Sequence, residues 1–194
     1  MTDAPGGVPP NPPQFPPFGV RSSERVYDSA WCSLRRDELL LPDGSTQEYH
    51  VFEVADAVCV LPVLADGSVV LIGQYRYPHG KTHWEAPAGR VDAGEAPEEA
   101  AARELEEETG YRPGRLVRMP GFYPVNGISA HYAHLFCALD CERAGEPRPG
   151  AAEQIVVRVF DWREARTLLA AGRLEDGFTA LALMYYALLA REDP

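Results

Sequence analysis

Residues 89–111 read GRVDAGEAPEEAAARELEEETGY, and this stretch decides the fold. Pro97 at a first turn and Gly110 just past a last one bracket a helix predicted over 97–109. At helical spacing Glu104 and Glu108 are four apart and Glu104 and Glu107 three apart, so three carboxylates share one face. Each like-charge pair of this kind weakens an isolated helix by roughly 0.2–0.5 kcal/mol, and Arg103 reaches only some of them. A glutamate-rich helix is most often a solvated face. A divalent cation is the other way to quiet such a cluster. Oxygen ligands without a nearby His or Cys favour a hard ion, Mg2+ or Mn2+, and Mg2+ commonly bridges carboxylates to phosphates, which implies a phosphorylated ligand.

Working outward, the flanks read as a mostly β core. Before the helix, short β-like runs are expected at 26–35, 38–41 and 48–54, with a turn at Pro42-Asp43-Gly44. Two apolar runs, 57–64 and 68–74, are joined by Asp66-Gly67, a strong hairpin signal, and are read as the central sheet. Residues 77–94 read as a Pro/Gly-rich loop. After the helix, strands are expected at 116–119, 131–140 and 154–160, then helices at 162–171 and 179–191, the last with Leu181, Met184, Tyr185 and Leu188 as a core-facing stripe. The first 18 residues hold seven prolines and are expected to be an extended tail. The sum is a mixed α/β domain with helices packed on a β core.

Length and charge set the class. A chain of 194 residues suits one domain with attachments. The net charge is −11, and the window from Asp92 to Glu108 carries eight acids against the one base Arg103. This balance argues against a protein that grips nucleic acid by its phosphates. No apolar run is long enough to span a membrane, and the start of the chain lacks the pattern of a signal peptide, so the expected location is the cytoplasm, away from any membrane. Cys32, Cys59, Cys137 and Cys141 have neither zinc-site nor disulfide-framework spacing. His79, His83, His131 and His134 form no ligand pattern and are assigned no chemistry. Ser129 lacks a nucleophile elbow, and no phosphate-binding glycine loop ending in Lys-Ser or Lys-Thr occurs.

The spacing of the opening stretch is more specific than its composition. Gly89, Glu95, Arg103, Glu104, Leu105, Glu107, Glu108, Gly110 and Tyr111 fit without a gap the pattern Gly-x5-Glu-x7-Arg-Glu-apolar-x-Glu-Glu-x-Gly-apolar. On these residues the chain resembles the Nudix hydrolases. The resemblance implies an α/β/α sandwich with a mixed central sheet and a loop-helix-loop that holds metal for attack of water on a diphosphate. It further implies Glu104 and Glu108 as main metal ligands, Glu107 as a further ligand or base, the carbonyl of Ala88 in the same shell, and a Glu95–Arg103 link that orients the glutamates.

Upstream, Gly73-Gln74-Tyr75-Arg76-Tyr77-Pro78 and Trp84-Glu85-Ala86-Pro87-Ala88-Gly89 resemble the ADP-ribose and ADP-sugar pyrophosphatases, and Gly121-Phe122-Tyr123-Pro124 is similar to their proline-bearing loop. That resemblance implies Arg76 and Glu85 as substrate-binding residues. It implies an N-terminal antiparallel β segment, 19–56, that pairs in a homodimer and brings Trp31 and Tyr49 to the nucleobase, ahead of a hydrolase domain at 57–194. Two departures stand out. Gly127-Ile128-Ser129 is followed by Ala130 and His131 where relatives often carry an acid, and Ala151-Ala152-Glu153 keeps one acid where they commonly carry two. Glu153 is therefore the leading base or third-metal ligand, with Glu107 the alternative base. The expected reaction is hydrolysis of ADP-ribose or a related nucleoside diphosphate sugar. GDP-sugars or dinucleoside polyphosphates, or nucleotide sensing without cleavage, are the alternatives.

Overall fold

The structure is a computed structural model and describes residues 10–189. The chain divides into two compact parts, Met1–Val51 and Phe52–Pro194. The sequence reading put its boundary at 56/57. Residues 1–9 of the expected tail, and the last residues of the final predicted helix, lie outside the described residues.

The first part is a three-stranded sheet in the order β1-β2-β3, from β1 (Gly19–Asp28), β2 (Ser33–Leu40) and β3 (Thr46–Glu53). The run expected as one strand over 26–35 is instead the end of β1, a turn and the start of β2. Ser29 makes that turn: its N–H donates to the Cys32 carbonyl (3.1 Å), and its Oγ accepts from the N–H groups of Trp31 (3.2 Å) and Cys32 (3.1 Å). A serine hydroxyl that substitutes for strand pairing is a local competitor that period-two reading misses. The second turn forms as expected, with Asp43 Oδ1 accepting from the Ser45 N–H at 2.9 Å and Gly44 at φ +84°. Asp37 is buried on β2, and Ser23 and Arg35 bond its carboxylate and hold its pKa below the ordinary value, the Arg35 bond first.

The second part is built on a mixed sheet in the order β7-β4-β10-β9. Here β4 (Ala57–Pro62) runs parallel to β10 (Ala133–Leu139) and antiparallel to β7 (Ala88–Arg90), and β9 (Arg115–Phe122) lies antiparallel to β10. A second, antiparallel sheet has the order β12-β5-β6, from β12 (Ile155–Phe160), β5 (Val69–Arg76) and β6 (Lys81–Glu85). A two-stranded piece pairs β8 (Tyr111–Arg112) with β11 (Glu142–Arg143).

The central strands are buried on both faces, which is why β4 reads as an unbroken apolar run and β10 as one interrupted only by His134. Val58, Val60, Phe136 and Ala138 meet Ala100, Ala101 and Leu105 of α1 (Pro97–Thr109). Cys59, Leu61, Leu135 and Cys137 meet Ala165 of α2 (Trp162–Ala170) and Ala182 and Leu183 of α3 (Gly177–Leu189). Helices on both sides of β strands make the expected α/β/α sandwich.

Several expectations need correction, among them the core-facing stripe of the last helix: Met184 and Leu188 are exposed, and Ala182 and Leu183 are buried instead. The Asp66-Gly67 turn forms, with Gly67 at φ +82°, but its strands part after the single bridge Val63–Val69 and enter different sheets. Turn chemistry is local, whereas the partners that split β4 from β5 lie far along the chain. The expected loop over 77–94 contains β6 and β7. Lys-Thr-His-Trp-Glu has no apolar alternation, because the face it turns to the site is polar. Pro120 and Gly121 did not end β9, since β9 is the last strand of its sheet and an edge tolerates a missing donor.

Candidate active site

Helix α1 starts at Pro97, with Glu99 reaching back to accept from the Ala96 N–H at 3.0 Å. It ends at Gly110, whose φ of +74° closes the last turn and lets its N–H donate to the Glu106 carbonyl at 2.9 Å. A Cβ on Gly110 would also lie 2.3 Å from the Gly145 carbonyl oxygen. The loop that follows β11 is fastened there: the N–H groups of Ala144 and Gly145 donate to the Gly110 carbonyl, and that of Arg148 donates to the Glu107 carbonyl at 2.6 Å.

Glu108 occupies a core position of α1, on the face of Ala101 and Leu105, and is 1% exposed. Its Oε2 accepts from the Ala88 N–H at 2.9 Å. Burial pushes its pKa up to about 8, against the pull of that N–H, and the charges of Glu104 and Glu153 add to the rise. Glu104 is nearly buried as well, and burial raises its pKa against the bond from Arg103. Its carboxylate lies over Gly89, where a Cβ would stand 2.0 Å from Oε1. This contact explains the glycine that opens the decisive stretch.

Arg103 ties the acids together. Its guanidinium donates to both Glu95 oxygens (2.8 and 2.9 Å), to Glu104 Oε1 (2.7 Å) and to the Arg90 carbonyl (3.1 Å), and more loosely to Glu107 at 3.4 Å. The bond from Arg103 holds the Glu95 pKa down to about 2, and the Asp92 N–H also supports the anion. Glu107 is the most exposed of the helix acids facing this cluster. Glu153, just before β12, bends back to accept from the Gly150 N–H at 2.6 Å, and its charge reaches Glu104 and Glu108.

On the neighbouring sheet, Arg76 of β5 donates to buried Glu85 of β6, with Nε 3.1 Å from both oxygens and Nη2 2.5 Å from Oε2. Among the described residues no three Asp, Glu, His or Cys side chains converge on one point, because Glu104 is turned to Arg103 and Glu108 to the Ala88 N–H. The donors nonetheless suit a hard divalent ion. They are all oxygen, Glu108 is buried and Glu104 largely so, and the ionisation of these two is opposed by burial and by neighbouring carboxylates.

A cavity of about 930 Å3 opens beside this cluster, walled by Arg76, Glu85, Ala88 and Gly89 together with His83, assigned no chemistry from the sequence, and with Lys81, Glu175 and Asp176, which the sequence reading did not mark at all. Asp176 caps α3 by accepting from the Thr179 N–H (2.8 Å) and Oγ1 (2.6 Å), and Thr179 Oγ1 accepts from the Ala86 N–H (2.8 Å). This relay fixes the segment that carries Ala88 and Gly89 to the start of a helix some 90 residues away. An Asp three residues before Thr is an N-cap signal that the sequence offered. Lys81 and His83 were hidden with β6. Trp31 lies in the β1–β2 turn and is 73% exposed, and Tyr49 lies on β3 with about a third of its surface exposed, both in the first part of the chain.

Two family models match the chain in series: the nucleoside diphosphate sugar hydrolase N-terminal domain over residues 20–52 and the NUDIX domain over residues 53–180. The chain belongs to the Nudix hydrolase family, whose members work with divalent metal ions. Among its relatives, the ADP-ribose pyrophosphatase of Bacillus subtilis (strain 168) is 31% identical over 168 residues, covering 86% of this chain and 91% of that one. The ADP-sugar pyrophosphatase of Mus musculus is 32% identical over 182 residues, covering 86% and 84%. A solved ADP compounds hydrolase shares the fold, with a TM-score of 0.81 at 20% identity over 92% of this chain and 97% of that one. The expectation of a Nudix hydrolase of the nucleoside diphosphate sugar group agrees with these findings. No helix among the described residues is long and apolar enough to cross a membrane.

Proposed function

We propose that the protein hydrolyses the diphosphate bond of ADP-ribose, or of a related nucleoside diphosphate sugar, to a nucleoside monophosphate and a sugar phosphate, with Mg2+ as its ion and Mn2+ as a substitute. The observation that carries this reading is the pair of carboxylates, buried Glu108 and largely buried Glu104, set against Ala88 and Gly89 at the wall of a cavity that also holds Arg76. Glu104, Glu108, the Ala88 carbonyl and Glu107 would hold the ion, which when bound supplies neutralising charge for the phosphate oxygens and lowers the pKa of water. Glu153 accepts the proton of the attacking water, with Glu107 as the alternative base. Arg103 and Glu95 keep the helix carboxylates in place. Arg76, aligned by Glu85, supplies guanidinium N–H groups to the diphosphate.

Trp31 and Tyr49 present aromatic faces to the nucleobase. The exposed apolar side chains of the N-terminal sheet, Val20, Val26, Tyr27 and Leu40 among them, support its use as a homodimer interface. The net charge of −11 supports a small-molecule substrate over nucleic acid. Four unpaired cysteines support a reducing, cytoplasmic setting.

The test is phosphate release from ADP-ribose, ADP-glucose, GDP-mannose, UDP-glucose and a dinucleoside polyphosphate, coupled to alkaline phosphatase. Metal-dependent turnover strongest on ADP-ribose or ADP-glucose is the expected result. Preference for a dinucleoside polyphosphate overturns the substrate assignment, and silence with retained micromolar binding turns the protein into a sensor.

A further inference from the structure

The β5–β6 hairpin turns one polar face to the cavity. Register places Gln74 opposite His83 and Arg76 opposite Lys81, and residues two apart on a strand share a face, so Glu85 joins them. Two buried polar atoms of this face, Gln74 Oε1 and His83 Nε2, have no hydrogen-bond partner, and of these two residues only His83 lines the cavity. Its side chain is only 10% exposed, its Nδ1 lies 3.4 Å from Glu175 Oε2, and its Nε2 is buried without a hydrogen-bond partner. An unpaired buried polar atom is costly, and in a native fold it calls for a reason.

The chemistry of the neighbours narrows that reason. Glu175 can only accept while ionised, so its nearness favours the imidazole proton at Nδ1, the tautomer that leaves Nε2 with a lone pair. A phosphate oxygen has no proton to give to that lone pair. Arg76 and Lys81, on the same wall, are the groups that suit the diphosphate. A hydroxyl on the group attached to the diphosphate is a donor that Nε2 can meet. Nε2 is now out of contact with solvent, so the ring must swing toward the cavity to reach it. Glu175, with 58% of its side chain exposed, is free to follow.

We propose that His83, oriented by Glu175, is a specificity-determining residue that accepts a hydrogen bond from a hydroxyl of the substrate's sugar half. This rests on the function proposed above. The test compares kcat/KM for ADP-ribose with kcat/KM for the β-methyl ester of ADP, which keeps the diphosphate and lacks the second sugar. His83→Phe lowers the ratio of the two values about tenfold, chiefly through the KM of ADP-ribose, and His83→Gln, whose carbonyl can accept, restores part of it. Should the Phe variant fail to fold, His83→Ala carries the same expectation. A ratio equal to the wild type's in the variant overturns the inference even if both activities fall together. Wild-type protein that cleaves neither compound overturns the underlying function instead.

Discussion

Glu108 is a carboxylate placed where a helix of this kind puts leucine or alanine, and the cost of that placement is readable in solution. With its pKa raised from 4.5 to about 8, it stabilises the metal-free fold fully below the lower value and loses that contribution as pH rises through the higher one. The thermal midpoint in chelator therefore falls from about pH 5 to about pH 8, a window in which folded-state Glu95, held near 2, does not change charge. Glu108→Gln should flatten this fall while lowering turnover by a factor of about a hundred or more. An unchanged pH slope in the variant would show that the buried carboxylate is not its source. Gly89→Ala makes the complementary point. Its methyl displaces the Glu104 carboxylate, so kcat should drop at least about tenfold, and activity equal to the wild type's would show that Glu104 is not needed where it stands. The spacing of Gly89, Glu104 and Glu108 was legible in the sequence, because a helix converts separation into shared faces. The overlap that makes Gly89 obligatory was not, since it depends on how β7 is laid across α1.

At the scale of elements, α1 is the anchor of two loops. Its first half meets the Ala88–Glu95 segment through Arg103, and its C-terminus holds the loop that leads to Glu153. Gly110 is the joint, with a positive φ and no room for a side chain beside Gly145. Gly110→Ala should cost about 1–3 kcal/mol, measured by denaturant unfolding, and reduce kcat by shifting the loop that carries Glu153. Stability within about 0.5 kcal/mol of wild type would contradict this close packing. The helix was legible from Pro97, Gly110 and the glutamate spacing, whereas β6 was not, because a strand whose one face is Lys81, His83 and Glu85 has no apolar period to read. The turn at Ser29 escaped for a similar reason. A single hydroxyl decided it, inside a run whose side chains favour strand.

For the whole molecule, the N-terminal sheet exposes apolar side chains along β1, and a monomer rarely leaves so many uncovered. Sedimentation should give twice the chain mass of 21.4 kDa, and Trp31→Ala should raise the KM for ADP-ribose with little change in kcat. A strictly monomeric mass, or unchanged constants, would remove the interface or the stacking role respectively. The sandwich itself could be anticipated from apolar runs that helices must cover on both sides, but the separation of β4 from β5 into two sheets could not, since no local signal names a strand's partner.

On the function proposed above, Glu104 and Glu108 of α1 serve a divalent ion at a diphosphate. This role is tested most directly by turnover of ADP-ribose, with and without Mg2+, for the wild-type protein and Glu108→Gln side by side. Turnover in the wild type that chelator abolishes and Mg2+ restores is expected, with a loss of about a hundredfold or more in the variant while it melts as a folded protein. Turnover that survives chelator, or a variant as active as the wild type, would contradict this role.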